Sequence, residues 1–366
     1  MSRKVLHLRS SFDPGGTETL LLNLFNYDQK PFDIHLVLLK NGTLADQLMA
    51  QNGNQVYHWY RKRFLDTTVL KKLHTLINEK KISIIHTHQF IELCYAVALK
   101  LMNPGIRLIH QIHLMFSKKD VFFYLERSLS QRFANILTVS NAAKKELVKD
   151  FGFDEKNIFV LYNAISLSNG NLSDRSVTEK LKAPLRKDRV NVVMVANFVW
   201  GKDHETIFKA YDSFIREALP QVSFYFVGAE SEISERLKKQ YLVTSDLEDG
   251  RIVFTGRISH ANALLPWFDV VIMSCFSETF NLALVEAAAT GKVILASDIP
   301  VFRELSENGK YFQHFKTGDA QDLFESLEHL VKNFPKVSET NHAEYYREKY
   351  GFDNFVGSLN EIYSQH

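Results

Sequence analysis

A rhythm that occurs twice constrains this chain most. Short runs of Val, Ile and Leu alternate with helix-patterned segments over residues 4–140, halt at a polar stretch over 166–189, and resume at residue 190. Runs that are apolar throughout suit strands covered on both faces, and helical crossovers between them force the strands parallel. The pattern predicts strands at 4–8, 33–39, 82–86, 107–113 and 136–140, then at 190–195, 222–228, 252–254, 270–274 and 293–296. Helices are expected at 18–25, 204–217 and 282–289. The Ser, Asn, Asp, Lys and Pro of 166–189 mark a linker. The fold class is therefore α/β, with two similar parallel-sheet domains and a ligand cleft between them. In such sheets ligands sit beyond the carboxyl ends of the strands.

Composition narrows the setting. With 366 residues, 45% hydrophobic and 23% charged, the chain has the balance of a globular protein with two cores. The 28 Phe residues are scattered and suit core filling. No apolar run reaches the roughly 18 residues of a spanning helix; segments 91–102 and 264–276 come nearest, the second broken by Pro266. Val5, Leu6 and Leu8 lead straight into polar Arg9, so no leader is expected. Cys94 and Cys275 alone make neither a disulfide framework nor a cysteine metal site. The expected location is the cytoplasm.

The net charge of +2 hides an asymmetry. Residues 1–182 hold 25 Lys and Arg against 16 Asp and Glu, and the remainder holds 19 against 26. Either two differently solvated surfaces or an anionic partner of the first half explains this. No basic helix or recognition motif supports nucleic acid; an acidic lipid surface or a phosphate-bearing acceptor fits. Arg61, Lys62 and Arg63, beside Trp59, Tyr60 and Phe64 with Lys71 and Lys72 behind, suit an anionic membrane interface or an ordinary helix end. Residues 118–124, with Lys118, Lys119, Phe122, Phe123 and Tyr124, have the same character.

The stretch 276–291 carries the strongest chemistry. A buried strand ends near Ser274, a polar loop follows, and a helix opens near Asn281. First-turn amides lack intrahelical partners, and with the helix dipole they suit a diphosphate. Glu286 stands where a carboxylate can accept two hydrogen bonds from a ribose diol. Glu278, before the helix, can meet sugar hydroxyls. Each alone is as well explained as a capping or salt-bridged carboxylate; the pair, between this strand and Gly291, points to a site. Earlier, Gly15 and Gly16 link the first strand to its helix, a weak phosphate-loop signal that a plain tight turn also explains. His86, His88, His110 and His113 cluster, but no acidic partner recurs at zinc-like spacing, so no metal site is expected.

Glu278 and Glu286 resemble the E-x7-E motif of glycosyltransferase family 4, retaining enzymes of the GT-B fold. Residues 291–297, 135–144, 161–164 and 195–204 are similar to further family segments, with Ala164 where the family has Gly. The resemblance implies a partition into an acceptor-binding domain at 1–167, a linker at 168–189, a nucleotide-sugar domain at 190–340, and a C-terminal helix at 341–366 crossing back to the first domain. It implies ribose on Glu286, donor sugar facing Glu278 and His113, and diphosphate on amides around Thr279, Phe280, Asn281 and Leu282. Asn281 stands where Gly is frequent, and Asn tolerates unusual φ/ψ. Lys202 matches a lysine that neutralises the leaving diphosphate, whereas Asn197 replaces the usual arginine. Arg257 and Ile258 would add charge or frame the base, or lie on the surface. Gly15 and Gly16 would close over phosphates or acceptor, and His88 would line the acceptor cleft. The implied activity is metal-independent, cofactor-free transfer of a hexose from a nucleotide diphosphate sugar, expected to be a UDP-sugar, to a saccharide acceptor. A lipid-linked acceptor in cell-surface polysaccharide or glycoconjugate synthesis is expected, with peripheral attachment to the inner face of the membrane. Alternatives are a sugar-nucleotide epimerase or phosphorylase, or a catalytically silent nucleotide-sugar-binding partner of a membrane enzyme.

Overall fold

A computed structural model describes residues 2–365 apart from 14, 43–44, 46–47, 49–52, 114–115, 117–118, 168–171 and 334–341. Lys118 and the expected boundary positions 168, 340 and 341 lie outside the described residues. The chain forms two compact units, Met1–Ala164 with Phe352–His366, and Ile165–Gly351.

The first unit is built on a parallel sheet. Its strands are β1 (Arg3–Arg9), β2 (Phe32–Leu38), β3 (Val56–His58), β4 (Ile84–Thr87), β5 (Arg107–Ile112), β6 (Ala134–Thr138) and β7 (Ile158–Val160), in the order β3-β2-β1-β4-β5-β6-β7. Every pairing is parallel. The second unit holds β8 (Val190–Val195), β9 (Val222–Val227), β10 (Ile252–Gly256), β11 (Val270–Met273), β12 (Val293–Ser297) and β13 (Gln313–Phe315), again parallel, in the order β10-β9-β8-β11-β12-β13. The central strands are the continuous apolar runs of the sequence. The strands β3, β7 and β13 were not expected: each has three residues and lies at a sheet edge, too short to form an apolar run.

Two segments divide more finely than the sequence pattern suggests. The segment expected as a linker holds, within its described residues, the helix Asp174–Leu181, capped by Ser173 and anchored by buried Val177 and Leu181. One i, i+4 apolar pair among polar neighbours suffices to pack a two-turn helix. The last element, expected over 341–366, is two helices. Ala343–Lys349 belongs to the second unit, where Tyr346 is buried and Arg347 Nε donates to the Ala289 carbonyl at 2.8 Å. Phe352–Ser364 belongs to the first, where Phe355, Val356, Leu359, Ile362 and Tyr363 join a core with Val5, Phe32 and Ile84. At Gly351, between them, an added Cβ would come within 2.5 Å of the Arg347 carbonyl oxygen.

Candidate active site

Strand order reverses between β8 and β11: β9 and β10 lie to one side, β12 and β13 to the other. The connections leaving β8 and β11 therefore diverge and open a crevice at their carboxyl ends. Two loops meet there. The Asp203 amide donates to the Ser274 carbonyl (3.0 Å), the Ser274 hydroxyl donates to Asp203 Oδ2 (3.2 Å), and the Phe276 amide donates to the Gly201 carbonyl (3.2 Å). Asp203 also caps the helix that starts at His204, accepting from the Thr206 amide at 3.2 Å. This stitching brings Lys202, after β8, onto Glu278, after β11, as an ion pair. Burial pulls the Lys202 pKa down, but neighbouring Cys275 and Glu278 outweigh it and the net shift is upward. Burial pushes the Cys275 thiol up to about 12.

Glu278 is held from several sides. Its Oε2 accepts from Lys202 and, at 3.4 Å, from Asn281 Nδ2, and its Oε1 accepts from the Thr279 amide at 3.2 Å. Asn281 caps the helix Leu282–Ala289 by accepting from the Leu284 amide at 3.0 Å. Leu282 and Ala283, in the first turn, have no amide acceptor within the helix. Glu286 is half-buried further along the same helix. Asn262 Nδ2 donates to its Oε1 at 3.2 Å and to the Ser166 carbonyl at 2.7 Å. Burial drives the Glu286 carboxyl up to about 7, only partly opposed by Asn262.

The first unit has its own reversal, between β1 and β4. Fully buried Glu92, in the first turn of the helix Phe90–Met102, accepts from the amides of Ser10 (2.5 Å), His88 (2.7 Å) and Gln89 (3.0 Å). Arg9 pairs with Glu18 and lies 3.9 Å from Glu92. Burial raises the Glu92 pKa, and Arg9 and the donated N–H groups hold it back. A Cβ on Gly15 would fall 2.6 Å from Glu18 Oε2, so glycine there leaves room for the Arg9–Glu18 pair. His113, after β5, lies 3.0 Å from His88. His110 is set apart: it bonds Thr87 at 2.9 Å and Glu126 at 3.0 Å, tying sheet to helix.

On the same unit, Tyr60, Phe64 and Leu65 are exposed, as are Val121, Phe122, Tyr124 and Leu125. Phe90 bridges the two sets, its ring centroid 6.0 Å from that of Phe64 and 5.9 Å from that of Phe122. Lys62 and Arg63 are exposed beside them.

The sequence matches two family profiles, Glycosyltransferase Family 4 over residues 14–169 and Glycosyl transferases group 1 over residues 189–333. The chain belongs to glycosyltransferase family 4. The O-antigen biosynthesis glycosyltransferase WclY of Escherichia coli is 23% identical, over 75% of this chain and 69% of its own. The N,N'-diacetylbacillosaminyl-diphospho-undecaprenol alpha-1,3-N-acetylgalactosaminyltransferase of Campylobacter jejuni is 24% identical, over 56% of this chain and 53% of its own. Among solved structures, Anabaena HepE in complex with UDP and glucose superposes with a TM-score of 0.81 at 18% identity, covering 99% of both chains. The fold is GT-B.

In this glycosyltransferase, Lys202, Glu278, Thr279, Phe280, Asn281, Leu282 and Glu286 are gathered around one helix start. Asn281 needs no unusual conformation: its φ of −137° is ordinary extended backbone, and its side chain earns the position by capping. Asn197 brings no positive charge; its Oδ1 accepts from the Ala229 amide at 2.8 Å and ties the β8 loop to the end of β9. Arg257, exposed, and Ile258, half-buried, follow β10, two strands away from β8. His88, expected to line an acceptor cleft, is instead buried, with both ring nitrogens engaged by other histidines. Arg61 is half-buried, and Trp59 packs against the first unit's core rather than facing out. Among the described residues no group of three or more His, Cys, Asp or Glu is placed to hold a metal ion, and no helix is long and apolar enough to cross a membrane.

Sequence reasoning missed Arg9, Glu18, Glu92, His7, Tyr363 and Asn262. One signal was present: Glu92 is a lone carboxylate in an otherwise apolar helix start, and a buried carboxylate requires a cation and donors nearby.

Proposed function

We propose that this glycosyltransferase moves a hexose from a UDP-sugar to a hydroxyl of a lipid-linked saccharide, with retention at the anomeric carbon, during synthesis of a cell-surface polysaccharide or glycoconjugate. The observation that carries this reading is the meeting of Lys202, Glu278 and the helix start at Asn281 on the β8–β11 reversal, with Glu286 along the same helix. A cation, two first-turn amides and two carboxylates complement a diphosphate flanked by hydroxyl-bearing groups.

In this reading Lys202 and the amides of Leu282 and Ala283 take up the charge of the departing diphosphate, and neither metal ion nor cofactor is called for. Glu286 accepts from the ribose hydroxyls. Glu278 and His113 face the hexose and orient it for front-side attack without a covalent intermediate. The complex of HepE with UDP and glucose supports the donor class. The diphospho-undecaprenol in the Campylobacter jejuni relative's name supports a lipid-linked acceptor, and the O-antigen role of WclY supports the setting. The exposed aromatic and basic face of the first unit supports attachment to the cytoplasmic face of an anionic membrane.

Incubation of the purified chain with UDP-hexoses and an undecaprenyl-diphosphate-linked saccharide tests the proposal. The expected product is an elongated lipid-linked saccharide whose new bond keeps the donor's anomeric configuration. An inverted bond, or no transfer from any UDP-hexose that binds, would refute it.

A further inference from the structure

A side chain from a neighbouring helix holds Glu286. Asn262 stands in the short helix Ala261–Trp267, whose other positions are Ala, Leu, Pro and Trp, and that helix packs against the one that carries Glu286. Asn262 Nδ2 donates to Glu286 Oε1 at 3.2 Å and to the Ser166 carbonyl at 2.7 Å. An amide nitrogen has two N–H groups, and both are used here. A carbonyl can only accept, so the nitrogen and not Oδ1 must face Ser166. The amide therefore has one orientation.

The anchor is itself fixed. Ser166 is the second residue of the second unit, and the amide of Ile165 before it donates to the Tyr350 carbonyl at 2.9 Å. Tyr350 is buried, and its ring lies edge-on to Phe280, in the loop that leads into the Glu286 helix, with centroids 5.7 Å apart. Asn262 thus ties the carboxylate to backbone that the site's own loop helps to hold.

Position and charge are linked at this point. Burial favours the neutral carboxyl, the N–H of Asn262 favours the carboxylate, and the balance raises Glu286 to about 7. Among the described residues no charged group enters that balance. The charges on the elements around this helix are engaged elsewhere. Arg347 bonds the Ala289 carbonyl, Lys349 bonds Glu307, and Lys292, before β12, bonds the Pro266 and Phe268 carbonyls. Glu344 and Glu348 are exposed, and β11, β12 and the helix Ala261–Trp267 carry no charge.

We propose that Asn262 is a positioning residue for the nucleotide: by tying Glu286 Oε1 to the Ser166 carbonyl through one amide, it fixes the carboxylate that accepts from the ribose diol. The proposal rests on the reading of Glu286 as the ribose acceptor. A carboxylate accepts from both hydroxyls, whereas a neutral carboxyl carries a proton on one of its oxygens. UDP affinity therefore follows the ionisation of Glu286, and Asn262 sets the pH at which affinity develops.

The test is calorimetric titration of UDP into the full chain at pH 7 and pH 8.5, for wild type, Asn262→Leu, Asn262→Asp and Glu286→Gln, with a thermal melt to confirm folding. Both Asn262 variants have nearly the shape of asparagine and neither offers the amide. Comparing each variant with the wild type at the same pH cancels the ionisation of UDP itself. Loss of one hydrogen bond to a charged group moves the Glu286 midpoint upward by about one pH unit. In Asn262→Leu the UDP Kd then rises about fivefold at pH 7 and only about 1.3-fold at pH 8.5; Asn262→Asp, which adds a like charge, shows the larger rise at pH 7. An unchanged Kd in both folded variants, or a loss that is equal at the two pH values, overturns the proposal, because Asn262 would then act through packing alone or not at all. If Glu286→Gln weakens UDP binding while the Asn262 variants do not, only the role of Asn262 fails. If Glu286→Gln itself binds UDP as the wild type does at pH 8.5, the ribose reading fails and the proposal with it.

Discussion

Lys202, in the loop after β8, is ion-paired with Glu278, in the loop after β11, across the point where strand order reverses in the second unit. Both side chains are mostly shielded, 22% and 16% exposed, so the pair is only partly screened by water. Lys202 is thus restrained by the carboxylate that is proposed to face the sugar. Glu278→Gln releases that restraint. UDP binding should tighten about three- to tenfold, worth roughly 1 kcal/mol, while kcat falls about a hundredfold. Calorimetry and initial rates on one preparation check both. Weaker UDP binding together with unchanged kcat would show that Glu278 does not act at the sugar.

Glu286 makes stability depend on pH. Its folded pKa is raised to about 7, above the ordinary carboxylate value of 4.5. The folded state therefore keeps a proton that the unfolded chain has lost, and this group's contribution to stability declines as pH rises from about 4.5 through 7. Glu286→Gln removes that cost and keeps an acceptor for Asn262. Relative to wild type it should gain about 3 kcal/mol at pH 8 and nothing near pH 4. Urea melts at the two pH values decide; an equal difference at both would mean that Glu286 titrates normally.

How much of this was legible follows from what a strand end reveals. The apolar runs that end before Lys202 and Glu278 place both at the mouth of a parallel sheet, so the site's location could be read without coordinates. Their direct pairing could not, because it depends on β8 and β11 being neighbours although two strands separate them in sequence. The same holds for the histidine cluster of the first unit. His7 and His86 are 79 positions apart in sequence and adjacent only through the β1–β4 register, and Tyr363 arrives from the far end of the chain. The short edge strands and the helix Asp174–Leu181 escaped because so few residues carry no periodic signal.

The exposed face of the first unit predicts reversible membrane attachment. Each basic residue near an anionic surface contributes about 1 kcal/mol, and salt screens the effect. The chain should sediment with vesicles containing phosphatidylglycerol at low salt and be released at high salt. A Lys62→Glu/Arg63→Glu double variant should remain in the supernatant. Phe122→Ser, removing a ring that is 56% exposed, should weaken binding without changing its salt dependence. Equal sedimentation with neutral and anionic vesicles would contradict the electrostatic account.

The assignment of Glu286 to the nucleotide's ribose underlies the whole reading, and calorimetric titration of UDP into wild type and Glu286→Ala at pH 8, where the carboxylate is ionised, tests it directly. Loss of a charged acceptor for the diol should cost about 1.5–3 kcal/mol, a roughly 10- to 150-fold rise in Kd. An unchanged Kd in a variant whose melt shows it folded would place the nucleotide elsewhere and contradict the account.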